Sequence, residues 1–207
     1  MIYFYSGTPG SGKSLHVAKD IYWRMRGGKC VIANFGINYD VFKTKKGKNL
    51  NKGTCLELSN EMLEPTFLMN YARAFFKRGA KGRIKENQCL LVIDECQLMF
   101  NSRDWQRSGR NEWIWFFTQH RKLGYTIILI SQFDRLVDRQ IRSLIEYEIK
   151  HRKLNNFKVF GKILGVLFGG SAFIGITYWY GAREKISSEM FSAKKRYIDF
   201  YDSYKMF

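Results

Sequence analysis

The stretch that decides the fold of this chain is Gly7-Thr8-Pro9-Gly10-Ser11-Gly12-Lys13-Ser14, close to the N-terminus. Its spacing, G-x-x-x-x-G-K-[ST], is that of a phosphate-binding P-loop. The six residues before it are typical of a short buried strand, and the residues after it are typical of a helix. This order brings backbone N–H groups and the positive end of a helix dipole to a phosphate. The alternative, a chance glycine-rich turn, would leave the flanking strand and helix unexplained.

The residues of this loop have expected roles around a magnesium nucleotide. Lys13 would bridge the β- and γ-phosphates, and the Ser14 hydroxyl would bind Mg²⁺. Backbone N–H groups would supply the other phosphate contacts. The nucleotide-binding set predicted from the motif is Gly7, Thr8, Pro9, Gly10, Ser11, Gly12, Lys13, Ser14 and Leu15.

An acidic pair follows a continuous apolar run, residues 89–93, which is typical of a central parallel strand covered on both faces. Asp94 is the expected second magnesium residue and would hold the ion through its water shell. Glu95 would polarise the attacking water as general base. The alternative is a strand that ends in a solvated acidic turn, and the P-loop disfavours it. An Asp-Glu pair also favours ATP hydrolysis coupled to work over simple phosphate transfer.

A second strongly apolar strand, residues 125–130, ends in Ser131-Gln132. Gln132 is the candidate sensor of the γ-phosphate or of the attacking water. The alternative interpretation is an ordinary polar strand end.

Hydrophobic periodicity and turn signals predict the other elements. We expect a helix from Lys13 to Met25, stopped by Gly27-Gly28, and strands over 30–35, 54–58 and 145–154, the last with outward-facing charges. Further helices are expected over 66–78 and 110–123, and a helix or helical turns over 133–144. The aromatic residues of the 110–123 helix are expected in the core and in subunit contacts rather than on a base-stacking face; they are Trp113, Trp115, Phe116 and Phe117.

The composition favours a polyanionic partner. The chain has 207 residues, is 45% hydrophobic and carries a formal charge of +17, which is unusual for a metabolic kinase and fits nucleic acid or anionic lipid. Five lysines in the loop 36–53 form either a solvated loop or a flexible nucleic-acid contact. The four cysteines have no metal-ligand spacing, so free thiols are expected. No signal peptide is expected, because the N-terminus leads straight into a strand.

Five segments, taken in order, resemble the zonular occludens toxin (Zot) domain, a family that includes assembly proteins of filamentous bacteriophages. They are the P-loop with its strand, 91–95, 118–121, 127–132 and 201–204. The resemblance implies an ATPase at the cytoplasmic face of the host inner membrane, peripheral or single-pass, that helps to extrude single-stranded phage DNA. It implies ATP and Mg²⁺ as cofactors, and phage coat proteins as partners. A toxin activity is not implied, because in relatives it is attached to a periplasmic tail, which is not expected in a chain that ends at Phe207.

The resemblance also implies a ring oligomer, hexamer-like, in which an arginine acts in trans. Arg121 is the first candidate for that catalytic arginine, and the sequence does not distinguish it from Arg135, Arg139 and Arg142.

Residues 163–182 contain no charged residue. About 20 apolar residues can span a bilayer as a helix, and the basic residues before the stretch would keep the preceding domain cytoplasmic. The alternative is a β-hairpin that turns at Gly169-Gly170 and uses the strand formers of 174–180.

The sequence therefore predicts an α/β P-loop NTPase with a mainly parallel central sheet flanked by helices, plus a C-terminal β-rich part. Residues 1–154 would form the core, and residues 155–207 a β-hairpin or membrane-associated extension that completes the domain. The predicted function is ATP hydrolysis that drives phage morphogenesis and DNA export. A cytosolic nucleotide kinase and a non-catalytic nucleotide-binding membrane scaffold are the alternatives.

Overall fold

The computed structural model describes residues 1–103, 109–154 and 171–201. Eight described strands form one sheet. In chain order they are β1 (Ile2–Ser6), β2 (Cys30–Ala33), β3 (Thr54–Glu57), β4 (Cys89–Ile93), β5 (Tyr125–Ile130), β6 (Tyr147–Lys153), β7 (Ala172–Trp179) and β8 (Glu184–Ser192). The helices are α1 (Lys13–Arg26), α2 (Pro65–Phe75), α3 (Arg110–Gln119), α4 (Arg139–Arg142) and α5 (Lys195–Ile198).

The strand order across the sheet is β3-β2-β4-β5-β1-β6-β7-β8. Strands β1 to β6 run parallel to one another, whereas β7 and β8 are antiparallel to their neighbours. The carboxyl ends of parallel strands meet at one edge of a sheet, where open α/β folds bind their ligands. The P-loop follows β1, the acidic pair follows β4 and Gln132 follows β5, so all three lie at this edge. The predicted α/β P-loop fold with a mainly parallel sheet is confirmed.

Helices cover both faces of the sheet. On one face α1 packs with α5, and Ile21, Tyr22 and Tyr197 are buried there. On the other face α2, α3 and α4 lie together over a core that includes Leu68 and Phe116. The five residues of β4 and the six of β5 are buried throughout, as their continuous apolar runs predicted.

Two predicted helices end earlier in the structure, and a third predicted helical stretch is divided. Helix α2 ends at Phe75, because Phe76 takes an extended conformation. Helix α3 ends at Gln119, and residues 120–124 form turns that lead into β5. The predicted helical stretch 133–144 is two short pieces, a 3-10 turn at Asp134–Leu136 and α4, separated by Asp138, whose side chain caps α4.

The aromatic residues of α3 divide by position. Trp113, Phe116 and Phe117 are buried, as expected, whereas Trp115 is 48% exposed.

The expectation of outward charges on β6 is confirmed for Arg152, which is exposed, and is wrong for Glu148. Glu148 is only 3% exposed. It accepts hydrogen bonds from Ser6 Oγ at 2.7 Å and from Arg183 Nη1 at 2.7 Å, so the buried carboxylate has a hydroxyl partner and a guanidinium partner whose side chain is 51% exposed.

The described part of the stretch 163–182 is a strand followed by a turn. Strand β7 covers most of it, and β8 follows after a turn at residues 180–183. A continuous spanning helix over 163–182 is therefore wrong, and the prediction of a strand at 174–180 is confirmed. The predicted turn at Gly169-Gly170 lies outside the described residues. Within the three described ranges, no helix has both the length and the apolar character needed to cross a bilayer. The division at residue 154 stays a prediction, and β7 and β8 continue the same sheet.

Candidate active site

The P-loop connects β1 to α1 through backbone conformations that favour glycine. Gly7, Gly10 and Gly12 have φ values of +143°, +71° and +97°. A Cβ atom on Gly7 would lie 2.8 Å from the carbonyl oxygen of His151, and one on Gly12 would lie 2.6 Å from the ring of Phe173. Gly7 and Gly12 are therefore required by close packing as well as by their φ angles.

Lys13 is the first residue of α1, and its side chain lies over the loop. Its Nζ donates to the carbonyl oxygen of Gly7 at 2.7 Å and to that of Thr8 at 3.3 Å. Partial burial lowers the pKa of Lys13, and the charges of Glu95 and Asp94 oppose this shift. The ammonium group and the two carboxylates are thus electrostatically coupled across the edge of the sheet.

Two hydroxyl groups of the loop are positioned for phosphate or metal contacts. Ser11 Oγ is buried and has no hydrogen-bond partner among the described residues, and a phosphate oxygen would satisfy it. Ser14 lies on the first turn of α1 and is half-buried. A serine hydroxyl and a carboxylate are the hard oxygen donors that Mg²⁺ takes beside phosphate oxygens and water. No cluster of three or more His, Cys, Asp or Glu residues that could hold a metal occurs within the ranges the structure covers.

Asp94 is 6% exposed and is held from both sides by neighbouring groups. Its Oδ1 accepts from the N–H of Glu95 at 2.8 Å, and its Oδ2 accepts from the Tyr201 hydroxyl at 2.5 Å. Burial raises the pKa of Asp94, and these two hydrogen bonds oppose that shift by favouring the charged form.

Asn34 fixes the backbone of Asp94. It follows β2, the strand next to β4; its Oδ1 accepts from the Asp94 N–H at 2.7 Å and its Nδ2 donates to the Asp94 carbonyl at 2.9 Å. Asn34 was not among the predicted site residues, because the predicted strand ran to residue 35 and placed Asn34 inside it, whereas β2 ends at Ala33.

Glu95 has a left-handed backbone conformation, with φ at +45°. For a residue other than glycine this costs roughly 1–3 kcal/mol, and such strain is concentrated at functional sites. The side chain is half-buried and accepts a hydrogen bond from Gln97 Nε2. The turn therefore holds Glu95 beside Asp94 in a fixed orientation.

Gln132 lies next to the P-loop and Arg121 does not. The carbonyl oxygen of Gln132 accepts from the Gly7 N–H at 3.3 Å. Arg121 precedes β5 and so lies at the opposite edge of the sheet, where it pairs with Glu86 at 3.2 Å and is 56% exposed. The backbone of Gln132 thus lies against the P-loop that carries Lys13, whereas a role for Arg121 in its own chain's site has no geometric support.

The other arginine candidates lie in the segment between β5, which ends at the P-loop edge, and β6, which begins at the opposite edge. Arg135 and Arg139 are exposed, and Arg142 donates to the carbonyl oxygen of Asp134 at 3.3 Å. The choice among these arginines for a role in trans stays a prediction.

A pair of buried histidines links the P-loop to the antiparallel strands. His16 Nδ1 lies 2.9 Å from His151 Nε2, and His151 Nδ1 lies 3.2 Å from the carbonyl oxygen of Ser6. Because that carbonyl can only accept, His151 Nδ1 donates and His151 Nε2 accepts from His16. Burial, together with the neighbouring His16, lowers the pKa of His151 to about 3. His151 is therefore neutral near pH 7.

Strand β8 supplies a carboxylate to the same contact. Glu189 Oε2 lies 3.5 Å from His16 Nε2, and Lys19 Nζ pairs with Glu189 Oε1. The neighbouring His16 ring and the Lys19 ammonium group lower the pKa of Glu189 to about 2. The start of α1, which carries Lys13 and Ser14, is thus tied to β6 and β8.

Comparisons with known proteins agree with this geometry. The sequence profile of the family described as zonular occludens toxin (Zot) matches residues 1–192. The Gene 1 protein of Enterobacteria phage I2-2 is 28% identical over 173 residues, which cover 82% of this chain and 45% of that relative. The chain therefore spans about half the length of this relative.

Two solved structures share the fold. The N-terminal domain of zonular occludens toxin from Neisseria meningitidis superposes with a TM-score of 0.55 at 15% identity, covering 97% of this chain and 98% of that one. The genome packaging NTPase from Sulfolobus turreted icosahedral virus 2, solved in complex with ATP-gammaS, superposes with a TM-score of 0.50 at 12% identity, covering 91% and 95%. The profile match over 192 of 207 residues confirms the resemblance for the four segments within it and does not reach the segment 201–204; the chain belongs to the zonular occludens toxin (Zot) family.

Proposed function

We propose that this chain hydrolyses magnesium ATP and that hydrolysis drives filamentous phage assembly and export of single-stranded phage DNA. One observation carries the proposal: the P-loop lysine, a buried aspartate and a strained glutamate lie together at the carboxyl edge of a parallel sheet. An ammonium group, a hydroxyl and two carboxylates in this order meet the needs of phosphoryl transfer to water.

Each group has a distinct task in the proposed reaction. Lys13 stabilises negative charge on the β- and γ-phosphates, as a P-loop lysine does. Ser14 and Asp94 would hold Mg²⁺, which when bound offsets charge on the phosphate oxygens. Glu95 accepts a proton from the attacking water, and its fixed turn keeps the carboxylate in place before the water arrives. Gln132, tied to Gly7, would orient the water or the γ-phosphate.

The wider role rests on family membership and on charge. The relative named above is a filamentous phage Gene 1 protein of about twice this length. We infer a ring of several copies, hexamer-like, with an arginine acting in trans. The partners would be single-stranded phage DNA and the phage coat proteins. A net charge of +17 favours both DNA and the anionic cytoplasmic face of the host inner membrane, where the protein would be peripheral.

Phosphate release with and without an acceptor tests this function. The purified chain is given MgATP alone, MgATP with single-stranded DNA, and MgATP with a set of nucleoside monophosphates. We expect phosphate to form without any acceptor and DNA to raise the rate. Phosphate transfer that depends on a monophosphate would instead show a nucleotide kinase. ATP binding with no phosphate release under any condition would show a nucleotide-binding scaffold.

A further inference from the structure

The last described segment of the chain returns to the acidic end of β4. Helix α5 packs against α1, and its Tyr197 hydroxyl accepts from Trp23 Nε1 at 3.2 Å. Phe200 is fully buried, with its ring centroid 5.9 Å from that of Phe42. The segment is therefore anchored by its core contacts before it reaches Tyr201.

Tyr201 is placed by contacts on two sides. Its backbone forms an isolated antiparallel bridge with Ile37, and its ring meets Phe35 edge-on with centroids 4.7 Å apart. From this position the hydroxyl reaches Asp94 Oδ2 at 2.5 Å, across 107 residues of sequence. The ring contact with Phe35 and the backbone bridge to Ile37 thus hold the hydroxyl against the carboxylate without any ligand.

The hydrogen bond leaves the carboxylate able to take a further partner. An ionised carboxylate has about four acceptor positions on its two oxygens. The Tyr201 hydroxyl and the Glu95 N–H occupy one position on each oxygen. No other described donor takes the remaining positions, so they can accept from water bound to Mg²⁺, while a hydrogen bond on each oxygen restricts rotation of the carboxylate.

The same contact replaces hydration that the buried carboxylate has lost. A carboxylate that is 6% exposed loses most of its hydration, and a short O–H···O⁻ hydrogen bond replaces part of it. A phenylalanine at position 201 would keep the ring on Phe35 but would leave Asp94 Oδ2 without this donor.

From this geometry we propose that Tyr201 is a positioning residue for the magnesium site, holding the Asp94 carboxylate in a fixed orientation. The inference rests on the proposed function, since it takes Asp94 as the acid that holds Mg²⁺. It assigns a role to the first residue of the segment 201–204, which the sequence analysis identified only by resemblance.

The test measures magnesium dependence of nucleotide binding in the wild-type chain and in Tyr201→Phe. The probe is an ATP analogue with a non-hydrolysable γ-phosphate, titrated with MgCl₂ and, separately, in EDTA. We expect the half-saturating Mg²⁺ concentration to rise about tenfold in Tyr201→Phe, since loss of an outer-shell partner costs about 10–100-fold in metal affinity. Affinity in EDTA should be unchanged, because Lys13 and the loop N–H groups are intact.

Tyr39→Phe is the matched control. Its hydroxyl also donates to an oxygen, the Cys55 carbonyl at 3.2 Å, but it has no contact with Asp94. This variant should keep the wild-type Mg²⁺ dependence. Melting temperature and EDTA affinity, measured on the same samples, report whether each variant is folded.

Three results would contradict the inference, and they differ in what else they affect. An unchanged Mg²⁺ half-saturation in folded Tyr201→Phe would make the contact structural only and leave the proposed function intact. A lower half-saturation would show that the hydroxyl competes with the metal site. A wild-type chain whose nucleotide binding is indifferent to Mg²⁺ would overturn the proposed function and this inference together.

Discussion

The parallel and the antiparallel parts of the sheet differ in burial and in what they give the site. Strands β4 and β5 are buried along their whole length, whereas the first seven residues of β8 are exposed. The parallel strands deliver Lys13, Asp94, Glu95 and Gln132 to one edge. The antiparallel strands contribute none of these groups, yet Phe173 and Glu189 contact the P-loop and α1. The P-loop and α1 are therefore packed against strands that contain none of the predicted catalytic residues.

Lys13→Ala, in the parallel part of the sheet, should have the largest effect, because it removes the ammonium group of the P-loop. We expect ATP turnover to fall to the background rate and nucleotide affinity to drop, since no other described side chain of the loop is positively charged. Phosphate release and equilibrium binding measure the two losses. Lys122→Ala, an exposed residue at the opposite edge, is the control and should retain both activities. Near-native turnover and affinity in Lys13→Ala would mean that the P-loop is not the nucleotide-binding site.

Phe173→Ala tests the antiparallel part by removing the ring that covers Gly12. Phe173 is 8% exposed and stacks on Phe191 at 5.7 Å. Loss of a buried phenylalanine costs roughly 3–5 kcal/mol, and the lower figure is expected at this sheet edge. Urea unfolding gives the free energy, and nucleotide affinity of the folded fraction should also weaken. Trp179→Ala, 55% exposed on the same strand, should change neither quantity much. Wild-type nucleotide affinity in Phe173→Ala would show that nucleotide binding does not depend on packing from the antiparallel strands.

The histidine pair should make the junction between the two parts sensitive to acid. The pKa of His151 is about 3 when folded, below the ordinary value near 6.5 expected in the unfolded chain. The unfolded state therefore binds more protons between these values, so stability is full above about pH 6.5 and decreases as the pH falls toward 3. His16, Lys13, Lys19 and Glu189 are the charged or titratable groups around this contact.

Between pH 7 and pH 5 we expect His151 to account for about 2 kcal/mol of lost stability. Urea unfolding at the two pH values measures this loss. His151→Asn, which keeps a donor for the Ser6 carbonyl, should lose less stability over the same interval than the wild-type chain does. Equal pH dependence in both proteins would mean that His151 is not the responsible group.

The smallest expected effect concerns DNA and the loop between β2 and β3. Lys43, Lys45, Lys46, Lys48 and Lys52 are exposed, although Lys43 pairs with Asp40 at 2.8 Å. Replacing the five by serine should reduce single-stranded DNA affinity and flatten its salt dependence, by about 0.7 in slope for each phosphate that is no longer neutralised. Exposed lysines on and after β8, namely Lys185, Lys194 and Lys195, are the control set. If both sets have the same effect per charge, DNA binding is unspecific electrostatics. No effect at all would make the lysine loop merely solvated.

The sequence was informative where a local pattern is sufficient for the chemistry. The P-loop spacing located Lys13 and Ser14, and the buried run of β4 located Asp94 and Glu95. Asn34 was missed because its meaning depends on β2 lying beside β4, which is a property of the assembled sheet.

Interactions across long sequence separations could not be predicted. Tyr201 reaches Asp94 from 107 residues away, and His151 reaches His16 from 135. The buried Glu148 was misplaced for the same reason, because its partner Arg183 lies on a turn between two strands that pair only after folding. Arg121 lies at the far edge of the sheet from the P-loop of its own chain, so its predicted role in trans depends on a neighbouring copy and stays a prediction.

The most direct test of the central claim is a paired measurement on Glu95→Gln and the wild-type chain. The claim is that the acidic pair after β4 hydrolyses ATP held by the P-loop. The amide keeps the shape of Glu95 and loses its basicity, so phosphate release should slow at least about a hundredfold, while ATP affinity stays within the error of the wild-type value. Glu86→Gln, at the opposite edge, should hydrolyse ATP normally. An unchanged rate in Glu95→Gln would contradict the account and assign the water to another residue, with Gln132 the first to examine.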